Sequence, residues 1–322
     1  MQPTIICTAR APGIIYINGR FAGEASTERP LMAPVSPSGA VYLEYRPLAG
    51  PGRALARRLV LSGGAPLADS VEGASGLNCV AWPGGALEVE FIAVECDAEP
   101  VFIDGVPGAM RRGEETTLSL NGLTIPVPEG ALPPRLIRQG GAALLLGDTL
   151  GGGQYLAALS PELTALLGTL SAEAIEPADG LISAVVDLKD SVGHGRLEQW
   201  LAEPHGLRRV SSEPVWNAGA PRWPETAEGA MIAAVEATLA GLGGECAGYL
   251  SPALASNAPL EAVAEVCDLC VPMKYGLPDA RPCVGLLKAE NDRLATVRPL
   301  YYRAEPVSSP QGAWQITALS LE

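Results

Sequence analysis

The chain has 322 residues, of which 48% are hydrophobic and 18% charged, a composition that excludes intrinsic disorder and allows two or three packed domains. Its 36 acidic and 22 basic side chains give a formal net charge of −14. Nucleic acids and anionic membranes are therefore disfavoured as partners, because both would be repelled.

The first 98 residues contain several segments whose residue types favour β-strands. Asn18-Gly19 lies between β-forming residues on both sides, and such a pair is typical of a two-residue hairpin because both turn positions need φ > 0. Residues 41–46 and 87–93 alternate apolar and polar side chains, which predicts half-buried antiparallel strands. The sequence therefore predicts a β module over residues 1–98.

The pattern of short strands continues through residues 99–222, which we predict to be a second all-β domain. Asn121-Gly122 indicates another tight hairpin. Apolar segments bounded by Gly, Pro or Asp follow at short spacing, which favours a meander, sandwich or barrel over alternating βα units. Residues 162–167 and 196–202 also suit short helices, and their type is left open.

The pattern becomes helical in residues 223–322. Apolar positions recur at helical spacing over residues 225–242, and acidic residues stand in the first turn, where the helix dipole favours them. Two further helices are predicted at residues 247–254 and 259–271, the second with Asn257 as cap and Pro259 in its first turn. A three-stranded antiparallel meander is predicted to follow, at residues 283–289, 294–303 and 313–321, with Asn291-Asp292 in one of its turns.

An N-terminal segment carries a first family resemblance. Residues 14–24 read Ile-Ile-Tyr-Ile-Asn-Gly-Arg-Phe-Ala-Gly-Glu, and Gly39 and residues 42–45 (Tyr-Leu-Glu-Tyr) follow. This order resembles the PEGA-type β module, although Gly-Glu-Ala stands where a Pro-Glu-Gly-Ala-like run is expected. Residues 101–105 (Val-Phe-Ile-Asp-Gly) are a weaker echo. The resemblance implies a small β-sandwich-like module of surface or assembly proteins, with no catalytic residues to carry over.

The last hundred residues carry a second resemblance. Residues 230–239, the run Gly-Tyr-Leu-Ser-Pro-Ala-Leu at 248–254 and the terminal strands are similar in order to the NTF2-like cone, a relative of cystatin-like folds. Catalytic members of that fold use a buried Asp or His inside the cone. This segment contains no histidine, and its aspartates are Asp268, Asp279 and Asp292.

The interior of that cone is therefore expected to be filled by apolar side chains, contributed by Met231, Val235, Tyr301 and Trp314. Its glutamates alternate with apolar positions, as those of a solvated helix face do; they include Glu236, Glu261 and Glu265. The pattern favours a packed core over a catalytic pocket.

A C-x-x-C pair at Cys267 and Cys270 could be combined with Cys246 and Cys283 into a four-thiolate zinc site. On a helix, however, both thiols would fall on the apolar stripe of Leu260 and Val263. Free cysteine behaves as a small hydrophobe, so we expect core packing, with metal binding and redox chemistry as alternatives.

Two other features are candidates for chemistry. His194 and His205 are the only imidazoles; both lie beside Gly or Pro and are expected on the solvated surface, although Asp187 and Asp190 are close to His194 in sequence. Residues 147–153 are glycine-rich but lack the Lys-Ser/Thr of a phosphate loop, so a hairpin connection is expected.

The N-terminal residues, the length of the apolar stretches and the cysteines all favour a cytoplasmic location. Residues 1–23 read as strands and not as a secretory signal, and no stretch approaches the roughly 18 apolar residues of a membrane span. Seven scattered cysteines are a poor disulfide framework; they are Cys7, Cys79, Cys96, Cys246, Cys267, Cys270 and Cys283. We expect a cytoplasmic protein without membrane insertion; release as part of a particle stays open.

These observations predict a mostly β protein, in which antiparallel β modules precede an NTF2-like or cystatin-like helix-plus-sheet domain. We expect a non-catalytic binding or assembly protein, for example a component of a larger cell-surface or phage-type particle. A protein partner or self-association is expected, and no catalytic, cofactor or metal residues are assigned. The alternative is a small-molecule-binding or enzymatic NTF2-like domain.

Overall fold

The computed structural model describes residues 2–49, 54–67, 77–92, 98–113, 115–139, 141–257, 260–275, 281–291 and 293–321. These residues form several antiparallel sheets, one larger mixed sheet and a few C-terminal helices, which confirms the expected mostly β, α+β fold class. Two compact units are present, one formed by Met1–Ala93 with Arg222–Glu322 and the other by Val94–Pro221.

In its described residues, the N-terminal part of the first unit contains nine strands: β1 (Thr4–Ala9), β2 (Gly13–Ile17), β3 (Arg20–Ala25), β4 (Leu31–Pro34), β5 (Gly39–Pro47), β6 (Leu55–Ser62), β7 (Ala65–Pro66), β8 (Leu77–Trp82) and β9 (Ala86–Phe91). The predicted alternation is confirmed on β5, where Val41, Leu43 and Tyr45 are buried and the residues between them are not. Tyr45 stacks on Phe91 of β9, with ring centroids 5.4 Å apart.

The C-terminal part of the first unit consists of α1 (Ala227–Leu239), α2 (Gly243–Tyr249), α3 (Pro252–Ala255), α4 (Glu261–Val266), β22 (Leu269–Pro272), β23 (Cys283–Ala289), β24 (Leu294–Ser309) and β25 (Gly312–Leu321). The predicted terminal meander is confirmed, because β23 pairs antiparallel with β24 and β24 with β25. Helix α1 begins after Thr226, whose hydroxyl accepts a hydrogen bond from the Gly229 amide at 3.0 Å.

The helix predicted over residues 259–271 is wrong in its second half. Helix α4 ends at Val266, Cys267 is extended, and the following residues pair with β23 as strand β22. Asn257 is not its cap, since its side chain amide donates to the carbonyl of Ala253 and the helix starts after Leu260. Pro259 and Asp292 lie outside the described residues.

Strand pairing joins the two ends of the chain. One sheet has the order β22-β23-β24-β8-β9-β1-β4, with β25 also on β24, and a second has the order β3-β2-β5-β6-β7. Residues 294–296 of β24 run parallel to residues 79–81 of β8. The division of the chain thus differs from three consecutive domains at 1–98, 99–222 and 223–322, because a local pattern does not encode the distant partner of a strand.

The described residues of the second unit form three consecutive four-stranded antiparallel meanders. The first sheet contains β10 (Ala98–Ile103), β11 (Val106–Arg111), β12 (Thr117–Leu120) and β13 (Leu123–Pro126). The middle sheet contains β14 (Arg135–Gln139), β15 (Ala142–Asp148), β16 (Gln154–Leu159) and β17 (Leu166–Ala172). The third contains β18 (Ala174–Ala178), β19 (Leu181–Asp187), β20 (His194–Glu203) and β21 (Gly206–Trp216).

The middle sheet of this unit is buried on both faces. Leu145 and Tyr155 pack against the first sheet, whereas Leu144 and Leu156 pack against the third. The two segments whose type was left open are not helical: β17 begins within the first, and the second lies in β20.

Both predicted Asn-Gly hairpins are confirmed. Asn18 and Gly19 have φ of 52° and 75°, and Asn121 and Gly122 have φ of 48° and 80°. Each pair joins neighbouring antiparallel strands. Within the described part of the chain, no helix is long and apolar enough to span a membrane.

Candidate functional site

The outward side of the β3-β2-β5-β6-β7 sheet presents aromatic and arginine side chains. We call the set formed by Tyr16, Phe21, Tyr42, Arg46 and Arg58 the aromatic–arginine face. Its members lie on four neighbouring strands, at positions between or beside the buried ones. Tyr16 is opposite Phe21 in the β2–β3 pair, and Tyr42 is opposite Arg58 in the β5–β6 pair. Strand alternation thus sends these side chains away from the core.

The rings of this face are held by specific contacts. Tyr16 and Phe21 meet edge to face, with centroids 6.1 Å apart. The guanidinium of Arg46 lies 4.8 Å from the centre of the Tyr16 ring, and that of Arg58 lies 5.9 Å from the centre of Tyr42. Phe21 is nevertheless 66% exposed and Tyr42 54% exposed. Large aromatic side chains are thus fixed in position while a wide part of their surface stays in water.

Backbone contacts fix the position of the hairpin that carries Tyr16 and Phe21. The Asn18 amide N–H donates to the carbonyl of Tyr42, and the Tyr42 N–H donates to the Asn18 side chain, both at 2.8 Å. Because the turn residue is bonded to β5, the tip cannot swing away from the sheet. These contacts within the chain hold the rings of the face in position, and a surface held in this way loses little conformational entropy on binding.

Positive charge is concentrated on this part of the chain. Residues 1–66 contain seven arginines and three glutamates, whereas the rest of the chain contains 15 basic and 33 acidic residues. Glu44 bonds Arg46 at 2.6 Å and raises its pKa above the usual value. Arg58 has no carboxylate partner within the residues that the structure describes. The whole-chain charge hides this asymmetry, and a count by segment would have revealed it.

A polar cleft of about 330 Å3 lies in the second unit, at the loop that joins β15 to β16. The glycine-rich residues 147–153 end β15 with Gly147 and Asp148 and then form this loop with residues 149–153, as the expected hairpin connection. Thr149 donates its hydroxyl hydrogen to the carbonyl of Gly152, so the loop bonds to itself. The cleft is lined by three carboxylates, from Glu129, Glu173 and Asp187, and by one ammonium, from Lys189. This excess of negative charge disfavours a phosphate ligand.

The expectation that His194 is solvated is wrong. Its side chain is buried, its Nδ1 lies 2.6 Å from the Asp190 carboxylate, and its ring lies 4.5 Å from that of Trp216. The second Asp190 oxygen accepts hydrogen bonds from the Gly193 and His194 amides. A turn closed by Asp190 therefore folds the imidazole inward, which sequence neighbours alone did not show. His194 does not line the cleft, and His205 is exposed as expected.

The expected burial of Cys267 and Cys270 is confirmed, although only the first follows a helix. Burial raises the pKa of the Cys267 thiol to about 11 and that of the Cys7 and Cys79 thiols to about 12. Cys246 is also buried and accepts a hydrogen bond from the Thr238 hydroxyl. Thiolate, the form that binds zinc, is thus disfavoured at these positions at neutral pH. That the chain holds no structural metal stays a prediction.

Buried thiols are expected to resist alkylation. Iodoacetamide at pH 8 should leave five cysteines unmodified in the native chain and modify them after unfolding in urea, as mass spectrometry would show; these are Cys7, Cys79, Cys246, Cys267 and Cys270. Their contribution to stability is fully present below pH 9 and is lost as the pH rises toward 12, because the unfolded thiols ionise first. Modification of any of the five in the native chain at the rate seen in urea would contradict this.

The interior of the C-terminal helix-and-sheet part is largely as expected. Met231, Val235 and Tyr301 are buried, and Trp314 is half-buried with its indole N–H bonded to the carbonyl of Glu225 at 3.0 Å. The expectation for Glu236 is wrong, since this residue is buried on α1 together with its apolar neighbours. Glu265 is exposed, and the side chain of Glu261 lies outside the described residues.

Asp268 lies on the surface of the described part of the chain and is not desolvated. Its carboxylate is exposed and bonds Lys288 at 2.7 Å, and this bond, followed by one from the Ala289 amide, lowers its pKa. A cleft of about 300 Å3 on β24 and β25 is lined by Arg281, Tyr301 and neighbouring residues, and none of its described lining residues is a carboxylate. Asp279 lies outside the described residues.

Comparison of the chain with protein-family models and with curated protein sequences gives no match. The PEGA-like and NTF2-like resemblances are therefore carried by the quoted residues alone and stay predictions.

Proposed function

We propose that this chain is a non-catalytic binding or assembly protein that contacts a protein partner through the aromatic–arginine face. The observation that carries the proposal is the exposure of Phe21 and Tyr42, two large rings fixed on a rigid sheet beside guanidinium groups. Tyrosine and arginine are enriched among the residues that dominate binding energy at protein interfaces. The resemblance of residues 14–45 to a PEGA-type module supports the same conclusion.

The polar groups elsewhere favour binding over catalysis. The buried imidazole of His194 is bonded to Asp190 and packed on Trp216, away from the cleft of its own unit. The thiols with raised pKa values are poor nucleophiles at neutral pH. A general acid–base pair needs two such groups to converge on a substrate, and the two clefts described above bring together no imidazole with a nucleophile.

Site-specific photocrosslinking tests the proposal. A photoreactive phenylalanine analogue is placed at position 21 or 42 of the full chain, in the cells that produce the protein. The control position is 102, because Phe102 is 78% exposed on β10 and has no guanidinium against its ring in the described structure. We expect discrete protein adducts from positions 21 and 42, with another protein or with a second copy, and none from position 102.

The crosslinked segments would be mapped by mass spectrometry. The yield of the adduct should fall when Tyr42→Ala is added to the chain that carries the photoreactive residue at position 21. Equal adducts from all three positions, or none from positions 21 and 42, would overturn the proposal.

A further inference from the structure

We infer that the aromatic–arginine face binds a carboxylate-bearing segment of a partner protein. This inference rests on the proposed function and adds the chemistry of the partner. Its starting point is the orientation of two guanidinium groups, those of Arg46 and Arg58, which lie 4.8 Å and 5.9 Å from the centres of two tyrosine rings.

A guanidinium held against a ring keeps its N–H edge available for a carboxylate. Arginine donates through a planar fork that matches the two oxygens of a carboxylate, and contact with the ring restricts the otherwise flexible side chain. Arg46 already shows this chemistry, because it bonds Glu44 at 2.6 Å while it lies over Tyr16. Arg58 lies over Tyr42 without a carboxylate partner in the described part of the chain. The face thus offers at least one guanidinium to an incoming acid.

Charge complementarity decides between partners. The four strands that carry the face, β2, β3, β5 and β6, have four arginines and two glutamates, so an acidic segment is attracted to them. A symmetric dimer through this face would place the arginines of one copy opposite those of the other. Like charges across an interface are costly, so a two-fold contact of this kind is disfavoured.

A nucleic acid is the other polyanion to consider. Single strands bind by stacking bases on open aromatic faces. Here Tyr16 and Tyr42 each have a guanidinium against the ring, and Phe21 meets Tyr16 edge to face. Outside residues 1–66 the chain has 33 acidic and 15 basic residues, which repel a long phosphate backbone. A short acidic protein segment satisfies the guanidinium groups without meeting this repulsion.

Fluorescence anisotropy with the full chain tests the inference. The probes are a labelled peptide of repeated Glu-Glu-Leu triplets, its Gln-Gln-Leu counterpart, and labelled oligothymidine. We expect the Glu peptide to bind more tightly than the Gln peptide by about tenfold, and more weakly as salt is added. Arg58→Gln should weaken binding of the Glu peptide by a similar factor. Arg58→Lys should weaken it by less, since lysine keeps the positive charge but lacks the planar fork of donors.

Arg208→Gln is the matched control. It removes the same charge from an exposed arginine of the second unit that already pairs with Glu203 at 2.7 Å, and it should leave binding unchanged. Circular dichroism would confirm that each variant is folded. Equal binding of the Glu and Gln peptides, an equal loss with Arg208→Gln, or preferential binding of oligothymidine would overturn the inference.

The two proposals can fail separately. Crosslinks from positions 21 and 42 to a segment without acidic residues would leave the proposed function standing and overturn the carboxylate inference. Binding of the Glu peptide without any crosslinked protein partner would overturn the proposed function and the assignment to a partner protein, and would leave only the carboxylate-binding chemistry of the face.

Discussion

Replacing either Leu144 or Leu145 by alanine is expected to destabilise the second unit by about 3 kcal/mol. The two residues are neighbours on β15 and point to opposite faces of the middle sheet, yet they are 1% and 0% exposed. Leu145 packs toward the first sheet and Leu144 toward the third. Each truncation therefore leaves a cavity in a different core, and the two variants should lose similar amounts of unfolding free energy.

Native-state hydrogen exchange of the amides on β15 and β16 would measure the free energy of local unfolding in both variants. Phe102→Ala is the control, because this side chain is 78% exposed and its loss should change stability by no more than about 0.5 kcal/mol. A large effect from Leu145→Ala with a small one from Leu144→Ala would mean that the third sheet does not cover the middle one.

Gly147→Ala is expected to cost about 2–3 kcal/mol, although alanine normally suits a strand better than glycine. Gly147 lies opposite Tyr155 in the β15–β16 pair, and a Cβ atom there would stand 2.5 Å from Cε1 of the ring. The ring cannot move aside easily, because Tyr155 is 2% exposed and its hydroxyl donates to the carbonyl of Leu132 at 2.6 Å. Burial also raises the pKa of Tyr155 to about 12, so the phenol remains a donor at neutral pH.

Gly151→Ala is the matched control for this substitution. A Cβ atom at Gly151 would meet nothing within 4 Å, and the residue belongs to the adjoining loop. Urea unfolding of both variants, followed by hydrogen exchange on β15 and β16, should show a lower free energy of unfolding for Gly147→Ala and little change for Gly151→Ala. Equal effects would show that the ring of Tyr155 does not constrain position 147.

Local signals in the sequence were sufficient for the turns and for most strands. The Asn18-Gly19 and Asn121-Gly122 hairpins follow from a steric requirement for positive φ within two residues. The alternation of β5 and β9 reflects the period of a strand with one face buried. The start of α1 depends on Thr226, a cap that interacts with a residue only three positions away.

Only part of the aromatic–arginine face could be predicted from the sequence. The arginine excess of residues 1–66 is visible as a count, but the net charge of −14 obscures it. Which arginines lie beside which rings depends on the register of β2, β5 and β6, and one residue of slip would send Tyr42 to the core side.

What the sequence by itself determined is therefore the mostly β class, the tight turns and the exposed or buried phase of individual strands. Only the tertiary structure decided that β8 pairs with β24, that residues 269–272 form strand β22 and not the end of a helix, and that His194 and Glu236 are buried. The physical reason is common to these cases. A strand edge, an imidazole or a carboxylate is stabilised by whichever group meets it in space, and the spacing of residues in the chain does not show which group that is.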